Sequence, residues 1–181
     1  MWARWVIAGV AASASAASAD LIFDIPDWSQ VGSGEHTAYV VIDFTATNYP
    51  VYAWSYSWDG DASVHDMLLA IEADAGLMYD WTDWGSGIFV NNFAYGSPAG
   101  DPDLYWSHAL GTVQGNGPDW SDAVAGTDLT PITNGMISGW YNGFNEDFSA
   151  IPPDLTSVLV PAPSALVALL LGCSMGRQRR R

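Results

Sequence analysis

The chain has 181 residues, with 20 acidic and five basic side chains and a formal net charge of −15. It contains no Lys, and its Arg residues stand only at Arg4, Arg177 and positions 179–181. The long acidic segment between them has no permanent cation, which excludes nucleic-acid binding through phosphate contacts and phosphoryl transfer through a basic clamp. A 49% apolar content and ten Trp indicate a folded domain rather than a disordered polyanion.

Residues 1–19 have the pattern of a secretory signal peptide. Arg4 supplies the positive start, the segment 5–12 is apolar, and Ala17-Ser18-Ala19 is a run of small residues typical of a cleavage site. We therefore predict cleavage after Ala19, which leaves an acidic, aromatic-rich extracytoplasmic domain at residues 20–159. A buried N-terminal helix is the alternative. The single cysteine, Cys173, lies beyond this domain, so no disulfide can form within it.

Two strands are expected early in the domain. Apolar and polar residues alternate in Tyr39–Thr47, which predicts a half-buried strand, and a turn at 48–50 leads to a second strand at Val51–Trp58. The second strand carries an aromatic row on one face: Tyr52, Trp54, Tyr56 and Trp58. Such a row either packs into a core or forms a platform on which sugar rings stack, and the core interpretation is favoured because large aromatic residues usually pack inward.

A single helix is expected after this hairpin. Ser63 can cap it, with Asp66 in the position of a capping-box acid, and Gly76 is a natural stop. The apolar residues between them recur at the spacing of one buried helix face.

Later strands are predicted at Gly87–Tyr95, Leu104–Leu110 and Met136–Tyr141. The order of elements predicts a mainly β fold, an antiparallel sheet or β-sandwich with one packed amphipathic helix. An α+β, β-grasp-like arrangement is the alternative.

Four Trp residues in surroundings rich in Gly and Asp are candidates for an exposed glycan-binding surface, because aromatic rings stack on the apolar faces of sugars. They are Trp81, Trp84, Trp106 and Trp120.

Paired acidic residues raise the alternative of a calcium site, since Ca²⁺ prefers oxygen ligands. Asp59-Gly60-Asp61 is the leading candidate because Gly60 lets the loop fold around an ion. An EF-hand register does not fit, since Ala70 stands at the twelfth position. The competing interpretation is that the acidic residues only solvate the surface.

No catalytic residue is nominated. The chain has no Gly-x-Ser-x-Gly motif, and His36, His65 and His108 lack the spacing of metal ligands. A glycosidase that uses a pair of Asp residues is the less favoured enzymatic alternative.

The C-terminus, residues 160–181, has three parts. The motif Val160-Pro161-Ala162-Pro163 is followed by an apolar segment, 164–176, and then by a basic tail. The apolar segment makes a helix of about 20 Å, shorter than the roughly 30 Å of a bilayer core. It predicts a short transmembrane helix, and the tail should stay cytoplasmic so that the acidic domain lies outside. The tail arginines are Arg177, Arg179, Arg180 and Arg181.

This arrangement resembles the sorting signal of PEP-CTERM proteins of Gram-negative bacteria, with Ala162 in place of the central Glu. The resemblance implies processing by an exosortase-like protease and a link to exopolysaccharide and biofilm. An ordinary membrane anchor is the alternative. Within the domain, Tyr52–Gly60 together with Asp66–Ile71 is similar to a pattern in uncharacterised bacterial cell-surface proteins with such tails, which implies no activity.

The sequence therefore predicts an exported, non-catalytic protein of the cell surface or extracellular matrix, with a structural or polysaccharide-binding role. A calcium-stabilised surface module is the alternative, and a secreted glycosidase is less favoured.

Overall fold

The computed structural model describes residues 29–114 and 117–159. The expected signal peptide and the whole C-terminal signal, 160–181, lie outside these residues. Among the helices of the described part, none combines the length and apolar character that a bilayer crossing requires.

The fold is mainly β with one α-helix, which confirms the predicted class. The elements are β1 (Gln30–Gly32), β2 (His36–Asp43), β3 (Val51–Trp58), α1 (Val64–Ala75), β4 (Leu77–Asp83), β5 (Ile88–Tyr95), β6 (Trp106–Gln114), β7 (Gly117–Asp122), β8 (Met136–Asn142) and β9 (Val158–Leu159).

The main sheet is mixed. Its strand order is β1-β3-β2-β8-β6-β7, and β9 also pairs with β3. The β2–β3, β6–β8 and β6–β7 pairs are antiparallel, whereas β1–β3, β2–β8 and β3–β9 are parallel. Strands β4 and β5 form a separate antiparallel hairpin. The predicted hairpin of β2 and β3 is present, but its first strand ends at Asp43 rather than Thr47, because Thr45–Thr47 form a 3-10 helix. Residues 40–43 are buried on both faces rather than on one. The parallel pairs depend on long connections that alternation within one strand does not reveal.

Helix α1 begins and ends at the expected residues. Ser63 and Asp66 form a reciprocal capping box: the Asp66 amide donates to Ser63 Oγ at 3.2 Å, and the Ser63 amide donates to Asp66 Oδ2 at 2.8 Å. Gly76 ends the helix in the left-handed conformation, with φ of 74°. The buried face of the helix carries Met67, Leu68 and Ile71.

The principal core lies between α1, the β4–β5 hairpin and one face of the main sheet. Trp54 and Trp58 of β3 are buried there, and Tyr52 and Tyr56 pack partly buried beside them. The aromatic row of β3 therefore belongs to the core, as favoured from the sequence, and is not an exposed platform.

A smaller apolar cluster covers the opposite face of the sheet. It contains Val41 and Ile137, and Trp120 packs against it. Trp120 lies so close to the backbone of β8 that a Cβ added to Gly139 would be 2.7 Å from its ring and 2.7 Å from Pro153. This face therefore requires glycine at position 139.

A buried carboxylate fastens the C-terminal part of the domain to β2. Asp43 Oδ1 accepts from the Thr45 amide at 2.8 Å, and Oδ2 accepts from the Asp154 amide at 2.9 Å. Asp43 therefore holds segment 143–157 close to the sheet.

Candidate functional site

A cleft of about 1220 Å³ opens beside the main sheet. Its walls come from the β4–β5 hairpin, the loops 101–105 and 123–127, and the loop 143–150, while β6 and β8 supply its floor. We call it the aromatic cleft.

The rim of the aromatic cleft exposes large apolar side chains. Trp84 is 70% exposed, Tyr105 is 81% exposed and Phe148 is 84% exposed. Other exposed apolar residues that line the same cleft are Phe89, Leu104 and Phe144. Exposed apolar residues are usually scattered singly over a protein surface, whereas contiguous exposed apolar patches mark interaction sites. The clustering of these rings around one cleft is therefore typical of a binding site.

The floor is formed by an aromatic pair that joins two strands. His108 of β6 lies directly opposite Trp140 of β8 in the antiparallel register. Their rings stack with centroids 3.9 Å apart and planes only 5° apart. Trp140 is buried, whereas His108 keeps part of its surface exposed and lines the cleft.

A hydrogen-bond chain fixes the tautomer of His108. Trp140 Nε1 donates to Ser138 Oγ at 2.9 Å, and Ser138 Oγ lies 2.9 Å from His108 Nε2. Ser138 is fully buried, and among the described residues His108 Nε2 is the acceptor available to its hydroxyl proton. Nε2 is therefore the acceptor, and the neutral imidazole carries its proton on Nδ1.

That Nδ1–H group faces the cleft. The hydrogen bond that His108 makes within the described residues uses Nε2, and His108 lines the cleft. Nδ1–H is therefore the group that this residue can offer to a ligand there. Burial of the rest of the ring lowers the pKa of His108 to about 3, which keeps the imidazole neutral near pH 7.

Asn142 holds the wall that carries Tyr105. The buried Asn142 accepts from the Asp101 amide at 2.6 Å through Oδ1, and its Nδ2 donates to the carbonyls of Asp101 at 3.4 Å and Leu104 at 3.3 Å. One side chain at the end of β8 thus positions the whole 101–105 loop.

The 123–127 wall is tied to β5 and to the core. The Thr127 amide donates to the Ile88 carbonyl at 2.8 Å, and the Ile88 amide donates to Asp128 Oδ1 at 2.6 Å. The Thr127 hydroxyl lies 3.0 Å from the Tyr79 hydroxyl, and burial raises the pKa of Tyr79 to about 12. Tyr79 therefore stays neutral as a hydrogen-bonding partner in this wall.

Phe148 is displayed by a strained turn. Its φ is 63°, in the left-handed region that a bulky residue rarely adopts. The Phe148 amide donates to the Asn145 carbonyl at 3.0 Å, and the Asn145 amide donates to the Ser149 carbonyl at 3.1 Å. Hydrogen bonds from the Ser149 hydroxyl and amide also lower the pKa of the Asp147 carboxyl. Strain that persists at an exposed aromatic residue is a pointer to function.

The polar side chains of the cleft are uncharged or acidic. Asp103 and Asp122 line it together with Ser86 and Asn91. No Lys or Arg occurs anywhere between positions 5 and 176, so no permanent cation balances these carboxylates.

Two of the four candidate Trp residues come together in the aromatic cleft. Trp84 is exposed at the rim of the cleft, and Trp106 is a buried residue of its lining. Trp106 Nε1 donates to Asn92 Oδ1 at 3.1 Å. Trp81 is partly exposed but packs edge-on against His65, with centroids 5.0 Å apart, outside the residues that line the cleft. Trp120 packs on the opposite face of the sheet.

The candidate calcium loop has a structural contact. Asp59 Oδ1 accepts from the Glu35 amide at 2.9 Å, which joins the loop to the start of β2. In the part of the chain that the structure describes, no three His, Cys, Asp or Glu side chains group together as metal ligands. Calcium binding by Asp59 and Asp61 stays a prediction without a converging set of side chains.

No local sequence pattern marks Tyr105, His108 or Phe148 as a binding residue. His108 shares the alternation of β6 with Trp106, and this pattern places both residues on one face. Its stacking partner depends on the β6–β8 register, which no local pattern contains. Asn145, Asp147 and Ser149 indicate a turn around Phe148, but phenylalanine itself gives no signal of a left-handed backbone.

Comparisons of the chain with protein-family models, with curated proteins and with solved structures found no match.

Proposed function

We propose that this is an exported, non-catalytic protein of the cell surface or extracellular matrix that binds polysaccharide in the aromatic cleft. The observation that carries the proposal is the ring of exposed aromatic side chains, including Trp84, Tyr105 and Phe148, above a floor with a free hydrogen-bond donor.

The chemistry of the cleft suits a sugar polymer. The C–H faces of pyranose rings stack on aromatic rings, while their hydroxyl groups need both donors and acceptors. His108 Nδ1–H offers a donor, and Asp103 and Asp122 offer acceptors. Ordinary small-molecule sites enclose roughly 300–1,000 Å³. A half-open cleft of about 1220 Å³ has room for several linked sugar rings.

The walls are held before any ligand arrives. Asn142 fixes the loop that carries Tyr105, and Thr127 and Asp128 fix the opposite wall to β5. Binding to fixed walls avoids most of the entropy cost of ordering a loop, so the available stacking energy contributes to affinity.

The test is affinity electrophoresis of the purified protein through gels that contain soluble polysaccharides such as dextran, mannan and laminarin. We expect at least one polymer to retard the protein, and Tyr105→Ala to reduce that retardation several-fold. Tyr49→Ala is the matched control, because Tyr49 is also an exposed tyrosine, at 41%, and lies outside the cleft. Equal loss in both variants, or no retardation by any polymer, would contradict the proposal. Reducing ends released from the same polymers would contradict the non-catalytic part.

We also propose that residues 160–181 act as the sorting signal, with an exosortase-like protease as partner. The support is the sequence itself: the Val160-Pro161-Ala162-Pro163 motif, the apolar segment and the basic tail. Replacing Arg177, Arg179, Arg180 and Arg181 with Gln should impair sorting by removing the cytoplasmic stop. Surface protein of normal amount and size in this variant would refute the signal.

A further inference from the structure

We infer that the aromatic cleft selects saccharide chains that carry no acidic groups, and that His108 Nδ1–H donates the central hydrogen bond to a sugar oxygen. This inference rests on the proposed function and deepens it by naming the ligand class.

The electrostatics of the cleft disfavour acidic polysaccharides. Asp103 and Asp122 line the cleft, and the segment between Arg4 and Arg177 holds no Lys or Arg. A sugar carboxylate or sulfate in this cleft would lie near like charges without a cation to pair with. His108 does not supply one, because burial against Trp140 lowers the pKa of its imidazole and keeps the ring neutral near pH 7.

The hydrogen-bond donor of the floor favours a sugar oxygen as its partner. With Nε2 accepting from the Ser138 hydroxyl, the group that remains for a ligand is the Nδ1–H donor. A donor requires an acceptor opposite it, and the hydroxyl, ring and acetamido oxygens of a sugar provide one.

The direction of the hydrogen-bond donor is fixed by ring packing. His108 stacks on Trp140 with planes 5° apart, and Trp140 contacts Phe93 edge-on in the core at 5.2 Å. The direction of the Nδ1–H bond is therefore set by core packing, as expected for a group that determines specificity.

A polymer panel on the unmodified protein tests the ligand class. Affinity electrophoresis is run with neutral dextran, mannan and laminarin and with anionic alginate and polygalacturonate, each in low and high NaCl. We expect retardation by a neutral polymer that salt leaves unchanged, and none by the anionic polymers at either salt concentration. Binding of alginate or polygalacturonate would overturn the inference and leave polysaccharide binding intact. Failure of every polymer would overturn both.

Two variants test the donor. His108→Phe keeps an aromatic ring above Trp140 but removes Nδ1–H, and it should weaken binding of the neutral polymer about tenfold, the usual worth of one hydrogen bond. His108→Gln offers Ser138 an acceptor and the ligand an N–H donor, so it should retain most of the affinity. Wild-type affinity in both variants would overturn the role of His108. If His108→Phe fails to fold, the test depends on His108→Gln. An affinity of His108→Gln as low as that of Tyr105→Ala would then contradict the role of His108 as the donor.

Discussion

His108 and Trp140 stack face to face across β6 and β8, with ring centroids 3.9 Å apart. The contact arises because the two residues are directly opposite in an antiparallel register. Trp140 belongs to the principal core, so the floor of the aromatic cleft is a continuation of that core. A neutral imidazole in this place has consequences for stability that can be measured.

Acid should destabilise the protein through His108. Burial lowers the pKa of folded His108 to about 3, below its value of 6.5 in an unfolded chain. The unfolded state therefore binds more protons between these values, and the stabilising contribution is present above pH 6.5 and lost as the pH falls toward 3. The expected loss is about 1.4 kcal/mol per pH unit in this window. Urea unfolding at pH 7.0, 5.5 and 4.5 measures it.

His108→Gln is the matched comparison, because glutamine does not titrate. Lower pH also relieves repulsion among the acidic residues, but that effect is common to both proteins and cancels in their difference. The stability gap between wild type and variant should therefore shrink or reverse steadily as the pH falls. A constant gap would mean that His108 is not held neutral by the fold.

Asn142 should link stability to binding. Asn142→Ala leaves the Asp101 amide and two carbonyls without their side-chain partner, at a cost of about 1–3 kcal/mol. The released 101–105 loop should also weaken binding of a neutral polysaccharide, because Tyr105 loses its fixed position. Asn134→Ala is the control: it removes the acceptor for the Thr37 amide, away from the cleft. It should lower stability and leave binding unchanged.

Local sequence patterns were sufficient for the elements whose signals are local. The cap residues Ser63 and Gly76 gave the helix its limits, and alternation gave the hairpin of β2 and β3. Strand β4 was not predicted, although Tyr79 and Trp81 alternate with Asp80 and Thr82, because it follows Gly76 directly with no loop to separate it from the helix. Strand β7 was also missed, since its Gly, Pro and Asp residues are typical of turns and its pairing with β6 overrides that preference.

The site was less predictable than the fold. Composition drew attention to Trp84 and Trp106, which both line the cleft, but Trp106 is buried rather than exposed as predicted. It gave Trp81 and Trp120 the same weight. Distinguishing them requires the tertiary arrangement, because a Trp in a Gly-rich segment can pack on either face of a strand. Trp120 packs inward because Gly111 and Gly139 leave room for its ring.

Gly139 should tolerate no side chain. In Gly139→Ala the new Cβ would meet Trp120 and Pro153 at 2.7 Å, and overpacking of this kind costs about 1–3 kcal/mol. Gly117→Ala is the matched control, because its Cβ would meet nothing within 4 Å. Thermal melts of the two variants should separate clearly. Equal melting temperatures would show that the small apolar cluster can rearrange around a methyl group.

The capping box should contribute to stability in a pH-dependent way. Ser63→Ala should cost about 1 kcal/mol at pH 7 because the Asp66 amide loses its partner. The side-chain hydrogen bond from Ser63 also lowers the pKa of Asp66 below 3.8, so this contribution is present above pH 3.8 and lost as the pH falls below it. Urea unfolding should show a smaller difference from wild type at pH 3 than at pH 7. The same difference at both values would argue against the coupling.

Phe148 should separate stability from binding. Its left-handed φ of 63° costs a non-glycine residue about 1 kcal/mol, and its ring is 84% exposed, so the ring contributes little to the core. Phe148→Gly relieves the strain and removes the ring, whereas Phe148→Ala removes the ring and keeps the strain. Both variants should bind a neutral polysaccharide more weakly, but Phe148→Gly should unfold at a higher urea concentration than Phe148→Ala. Unchanged binding in both variants would contradict a role for Phe148 in binding the proposed ligand.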